Sequence, residues 1–286
     1  MNIAQQITLT KHSGLGNDFL VLDMTQLDGV SARALVTDEM WARYAREWCD
    51  SRSGVGADGL LLLGGTVGSD RLTLRLFNSD GSQAEMSGNG IRCLAQAAFM
   101  RDGRSDACTY VVRTAAGDRS VEVVAHDLTD DTLMASVDMG AIEKLSEPAN
   151  WSTIGCDPNR PVAHISVGNP HAVVGVEDVR AVNLLEIGLK VPQINLEIIE
   201  PGPESHAITM RVHERGAGIT QACGTGACAS AWAAVQWGLV ASSVAEVLVH
   251  MDGGDASVRV NSPAPGRVTL VGPAQYIGTM TVEMRS

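Results

Sequence analysis

The feature that most constrains this chain is an internal echo. The segment Ser87-Gly88-Asn89-Gly90-Ile91-Arg92-Cys93, followed by Leu94-Ala95-Gln96-Ala97-Ala98, returns as Cys223-Gly224-Thr225-Gly226-Ala227-Cys228-Ala229, followed by Ser230-Ala231-Trp232-Ala233-Ala234. Each copy places x-G-x-G directly before an Ala-rich helical stretch. A second pair lies upstream of these, where Gly16-Asn17-Asp18-Phe19 matches Gly168-Asn169-Pro170-His171. The offsets, 136 and 152 residues, are what a duplication leaves after its loops have drifted in length. Two like domains are therefore expected, residues 1–126 with 275–286 returning to the first and 127–274 forming the second. A length of 286 residues suits two domains that each bury a core.

Alternating runs at Leu72–Leu76, Ser120–Val124 and Ala256–Val260 read as half-buried strands, and Asp38–Asp50 and Ile91–Met100 as helices. Turn signals at Asp80-Gly81, Asp102-Gly103, Asp252-Gly253-Gly254 and Pro263 to Gly266 space the strands as in a sheet-rich α/β chain of the α+β type. With aromatic residues at only 4%, an interior of Ala, Val, Leu and Gly is expected.

A formal charge of −12 argues against a nucleic-acid partner, because phosphate binding needs clustered Lys and Arg. No apolar run reaches the roughly 20 residues of a membrane span, and the start MNIAQQITLT lacks the pattern of a secretion signal, so no membrane and a cytoplasmic setting are expected. The six cysteines form neither a C-x-x-C pair nor a zinc-spaced cluster. Metal binding and disulfides are not expected, and most thiols read as small buried groups.

Cys223 needs a different account. Glycines in x-G-x-G let the chain turn sharply into a helix whose first N–H groups have no intrahelical acceptor. Such a start attracts a carboxylate and is expected to lower a thiol on it below about 8.5. Ser87 heads the other copy. Two proton-handling groups on opposite sides of one ligand suit inversion of a carbon, since one group must remove a proton from one face while another delivers it to the other. Helix N-termini would stabilise the charge that develops on an α-carboxylate. With lysine only at positions 11, 144 and 190, none in the Gly-rich segments, a pyridoxal Schiff base has few candidates, and no cofactor is expected. A lone G-x-G before a helix is more often a plain turn; two copies headed by Ser and Cys are not explained by turn geometry.

At this point the residues resemble the diaminopimelate epimerase family over nearly the whole chain. The segments that carry the likeness are Lys11–Phe19, Gly54–Gly59, Phe77–Ser82, Ser87–Cys93, Gly168–His171 and Glu214–Gly226. The resemblance implies two pseudosymmetric domains, each with strands wrapped around a central helix, an active site at the domain interface, and a homodimer. It implies cofactor-free conversion of LL- to meso-diaminopimelate in lysine and cell-wall precursor synthesis. By motif position, Asn17, Asn78, Asn169, Asn195, Glu214 and Arg215 would hold the substrate's amino and carboxylate ends. Gly88, Asn89, Gly224 and Thr225 would offer donors to the reacting carboxylate. Cys223, Ser87, Glu214 and His171 would move protons. Arg215 suits a carboxylate, which it can grip with two bonds.

Two positions depart from the family pattern. The family carries cysteine at both helix heads, and a serine hydroxyl is too weak an acid to rest as a base. An introduced Cys-to-Ser change, a natural variant whose serine still reprotonates, and a relative with shifted function all fit Ser87. Gly59 stands where many members have a larger polar residue. Cys93, inside the helix, reads as packing. A proline or hydroxyproline racemase-type enzyme, or an impaired amino-acid-binding homologue, are the alternatives to diaminopimelate epimerisation; Asn17, Asn78, Asn195 and Arg215 would have nothing to hold at the far end of proline.

Overall fold

A computed structural model describes residues 4–27, 37–127 and 129–285. In chain order the elements are β1 Ala4–Gly14, β2 Asn17–Asp23, α1 Asp38–Cys49, β3 Gly59–Gly64, β4 Arg71–Asn78, β5 Gln83–Ala84, α2 Gly88–Arg101, β6 Cys108–Thr114, β7 Gly117–Asp127 and β8 Thr132–Ala141. They continue as β9 Glu143–Lys144, β10 Val162–Ser166, β11 Pro170–Gly175, α3 Leu184–Gly188, β12 Asn195–Pro201, β13 Ala207–Glu214, β14 Gly218–Thr220, α4 Gly224–Gln236, β15 Val247–Met251, β16 Gly254–Val260 and β17 Arg267–Arg285. The chain forms two compact units, 1–136 with 273–286, and 137–272. Among the described residues no helix is long and apolar enough to cross a membrane.

The same succession of pairings occurs in each unit. In the first, β1–β2 is antiparallel, β2–β3 parallel, β3–β4 antiparallel, β4–β6 parallel and β6–β7 antiparallel. In the second, β10–β11, β11–β12, β12–β13, β13–β15 and β15–β16 repeat those senses in order. Parallel neighbours need a crossover. α1 lies in the β2–β3 connection and α3 in the β11–β12 connection, while α2 and α4 lie in the β4–β6 and β13–β15 connections.

The helices behind the two x-G-x-G segments are the centres of their units. Gly88 through Phe99 of α2 are all buried, as are Gly224 through Ala231 of α4. A helix buried on all sides must present small or apolar residues around its whole circumference, which explains the Ala and Gly content of both. Each ends alike: Gly103 follows the cap of α2 at φ 61° and Gly238 that of α4 at φ 73°, left-handed positions that glycine takes without penalty.

α1 is amphipathic in the ordinary way. Thr37 caps Met40 N–H, Asp38 and Glu39 favour the positive end, and Trp41, Tyr44, Ala45 and Trp48 face Leu20, Leu22, Leu60 and Leu62 of β2 and β3. The low aromatic content predicts a core without large ring contacts. Here ring contacts are present: Tyr44 and Trp48 stack with centroids 4.5 Å apart, and the Trp41 ring centroid lies 6.1 Å from that of Tyr44. The second unit's core, built on Trp151, Val174, Leu184, Leu196 and Ile198, is mainly aliphatic.

Candidate active site

Ser87 caps α2. Its backbone is extended, φ −136° and ψ 126°, and its Oγ accepts the Gly90 N–H at 3.0 Å. Cys223 caps α4 with nearly the same backbone, φ −135° and ψ 110°, its Sγ accepting the Gly226 N–H at 3.4 Å. Gly88 and Asn89, and Gly224 and Thr225, head these helices, where no preceding turn supplies an acceptor for their N–H groups. The two helix starts are equivalent in backbone and in capping, and differ in the capping atom.

In the first unit three site residues are joined. Arg92, fully buried, donates from Nη2 to Asn89 Oδ1 at 2.9 Å and from Nη1 to Gly88 O at 3.0 Å. Asn89 Nδ2 then donates to Asn17 Oδ1 at 2.7 Å. Asn78, at the end of β4, donates to Ser82 Oγ at 2.9 Å and its backbone N–H bonds Ser82 O. It opposes Gly59 on β3. A Cβ on Gly59 would lie 2.9 Å from Phe77 O, so a larger residue there requires the neighbouring strand to shift. Cys93 is fully buried and burial pushes its thiol up to about 12, the inert packing group that its place in the helix implies.

The second unit holds the titratable residues. His171, at the start of β11, is fully buried, its Nδ1 2.7 Å from Glu197 Oε1 and its Nε2 3.0 Å from Asn169 Oδ1. Asn195 bonds backbone on both sides: Oδ1 accepts from Arg215 N–H at 2.9 Å and Nδ2 donates to Pro170 O at 3.1 Å. It thus ties β12 to the residue after β13, and its side chain fixes the base of the exposed Arg215. Glu214 accepts from Thr220 Oγ1, and the Cys223 thiol lies near enough to favour its ionised form. Burial raises its carboxyl above the ordinary range, against the lowering by those two groups.

The expected acidic thiol at Cys223 is not found. Gly226 N–H and Thr225 Oγ1 do favour the thiolate, Thr225 at 3.4 Å. Burial raises the thiol well above its ordinary value, and the charges of Glu214 and Glu197 raise it further. A helix start acts within its first turn, and here desolvation and two carboxylates outweigh it. Cys223 rests as the protonated thiol.

Glu197 was missed by sequence reasoning. Its signal is a carboxylate inside the apolar run Leu196-Glu197-Ile198-Ile199, where a buried charge demands a partner.

The family model for diaminopimelate epimerase matches residues 9–145 and 163–277. The chain is 37% identical to a diaminopimelate epimerase of Thermosynechococcus vestitus, over 96% of this chain and 99% of that protein. It is 40% identical to diaminopimelate epimerase 1 of a Nostoc species, over 96% and 98%. Among solved structures it resembles a PhzF-family phenazine biosynthesis protein of Bacillus anthracis, with TM-score 0.70 and 14% identity over 97% of this chain and 99% of that one. It also resembles a hydroxyproline epimerase of Agrobacterium vitis, with TM-score 0.66 and 15% identity over 97% and 91%. At such identities these structures share the fold. The matches over nearly the full length establish that this chain belongs to the diaminopimelate epimerase family.

Proposed function

We propose that this chain interconverts LL- and meso-diaminopimelate by removing and returning the proton of one α-carbon without a cofactor, as a cytoplasmic homodimer serving lysine and cell-wall precursor synthesis. The observation that carries the reading is the pair of equivalent helix starts, each capped by a proton-bearing side chain and each preceded in its unit by a Gly-Asn segment.

In this reading Cys223 and Ser87 serve opposite faces of the carbon. Because the Cys223 thiol is protonated at rest, it must first lose its proton, and Glu214 is the neighbouring carboxylate whose raised affinity for a proton suits that step. The thiolate then takes the α-proton, breaking the C–H bond and leaving its electron pair delocalised into the α-carboxylate. Backbone N–H groups of Gly88, Asn89, Gly224 and Thr225 oppose the growing charge. Ser87 delivers its hydroxyl proton to the other face, and the alkoxide left behind regains a proton from solvent as Glu214 releases the one it took. In the reverse direction Ser87 would have to act as base, and a hydroxyl does that poorly. Asn17, Asn78, Asn169 and Arg215 bind the remaining ammonium and carboxylate groups, Asn195 positioning Arg215.

Incubating the protein with LL-diaminopimelate and separating the stereoisomers by chiral chromatography tests the reading. Appearance of the meso isomer supports it; an unchanged LL isomer with no α-hydrogen exchange contradicts it.

A further inference from the structure

Leu61 and Glu197 stand at the same register in the two units. Across the parallel pair β2–β3 Phe19 faces Gly59, and across β11–β12 His171 faces Asn195. Two residues further, on the same side of each strand, come Leu61 and Glu197. Both lie against the second glycine of their helix start: a Cβ on Gly90 would meet Leu61 Cδ2 at 3.4 Å, and one on Gly226 would meet Glu197 Oε1 at 2.8 Å and Cys223 Sγ at 3.3 Å. The apolar floor of Phe19 and Leu61 beneath the serine is thus replaced, beneath the thiol, by the ion-forming pair His171 and Glu197, both 0% exposed.

Packing does not require that replacement, because Leu61 fills the equivalent place. A buried ionic pair seldom stabilises a fold more than apolar residues of similar volume. Glu197 Oε2 moreover has no hydrogen-bond partner among the described residues, and an unpaired buried acceptor costs stability. The pair stands in the core at a cost to stability.

We propose that Glu197 is a positioning residue for the proton transfer: its carboxylate holds a proton on His171 Nδ1 and so fixes the ring with Nε2 against Asn169. The claim rests on the function proposed above and names a member of the same site. Two proton arrangements satisfy the geometry. Either the ring is an imidazolium donating to Glu197 and to Asn169 Oδ1, or it is neutral with the Asn169 amide turned so that Nδ2 donates to Nε2. In both, Nδ1 keeps its proton, so any proton that His171 exchanges passes through Nε2. The charge of Glu197 also helps keep the Cys223 thiol protonated at rest.

The test compares the unsubstituted protein with Glu197→Gln and Glu197→Asp, reading kcat and KM for diaminopimelate and the ¹⁵N resonances of the His171 ring. Glu197→Gln, which removes the charge and whose amide can present either an acceptor or a donor to Nδ1, is expected to lower kcat by about 10–100-fold with KM little changed, and to shift the His171 ring resonances because Nδ1 protonation is no longer enforced. Glu197→Asp is expected to retain the Nδ1 signature and recover part of kcat. Should the Gln form fail to fold, Asp carries the comparison, with a lowered kcat expected. Unchanged kcat, or a fall in kcat with the His171 resonances unmoved in the Gln form, overturns the proposal. If the unsubstituted chain does not turn over diaminopimelate, the functional reading fails and this one with it; turnover that survives the Gln substitution overturns this one alone.

Discussion

Asn89 donates its side-chain N–H to Asn17 Oδ1 at 2.7 Å, and this fixes the orientation of both amides. Arg92 supplies only donors, so the Asn89 atom it touches at 2.9 Å must be the oxygen, which sends Nδ2 to Asn17. Asn17 is left with Nδ2 as its donor end, suited to a carboxylate.

Arg92→Leu removes donors to Gly88 O, Asn89 Oδ1 and Pro273 O. Leaving buried acceptors unpaired is expected to destabilise the protein by on the order of 3 kcal/mol and to raise KM, since both asparagines become free to turn. Urea unfolding read beside steady-state kinetics checks this; unchanged stability would show that the guanidinium is not needed there.

Ser87→Cys is expected to raise turnover by about 10²-fold or more, because a thiol is a far stronger acid than a hydroxyl and general acid–base catalysis is worth that much. Its cost is a longer cap contact, as Cys223 shows at 3.4 Å against 3.0 Å for Ser87, and so at most about 1 kcal/mol of stability. Parallel kinetics and thermal melts separate the two effects.

Gly226→Ala and Gly90→Ala should differ although they are the same change at equivalent sites. The methyl at Gly226 would press on the carboxylate of Glu197 at 2.8 Å, whereas at Gly90 the nearest atom is Ser87 Cβ at 3.2 Å. Overpacking of this kind costs about 1–3 kcal/mol, and activity should fall more for Gly226→Ala. Equal losses would contradict the described asymmetry.

The acid limit of stability should depend on His12. This ring is fully buried, bonded to Gln96 and Thr10, and burial pulls its pKa from 6.5 down to about 4. The unfolded chain therefore takes up a proton that the folded chain refuses. Stability from this group is complete above about pH 6.5 and is lost as pH falls towards 4, on the order of 3 kcal/mol in all. In His12→Gln, unfolding free energy measured across that range should fall less steeply by about this amount.

Both helix starts, and the likeness of the two halves, were legible because x-G-x-G before an alanine run is local and occurs twice. The strands at Leu72–Leu76, Ser120–Val124 and Ala256–Val260 were legible from alternation, and each lies within an observed strand. The acid strength of Cys223 was not. The favourable N–H donors come from its own helix, but the opposing carboxylates arrive from β12 and β13 through strand pairing. Glu197 escaped notice for the same reason, since a glutamate in an apolar strand does not announce which histidine lies beside it. Nor did the sequence show that Asn195 spends its amide on Arg215 and Pro170 backbone.

The central claim is that Cys223 exchanges the α-proton of diaminopimelate. Deuterium incorporation from D₂O into the LL and meso isomers, followed by mass spectrometry, measures it directly with the unsubstituted chain and Cys223→Ala. Exchange from at least one isomer that disappears in Cys223→Ala is the predicted result. No exchange from either isomer, or exchange that persists without the thiol, contradicts it.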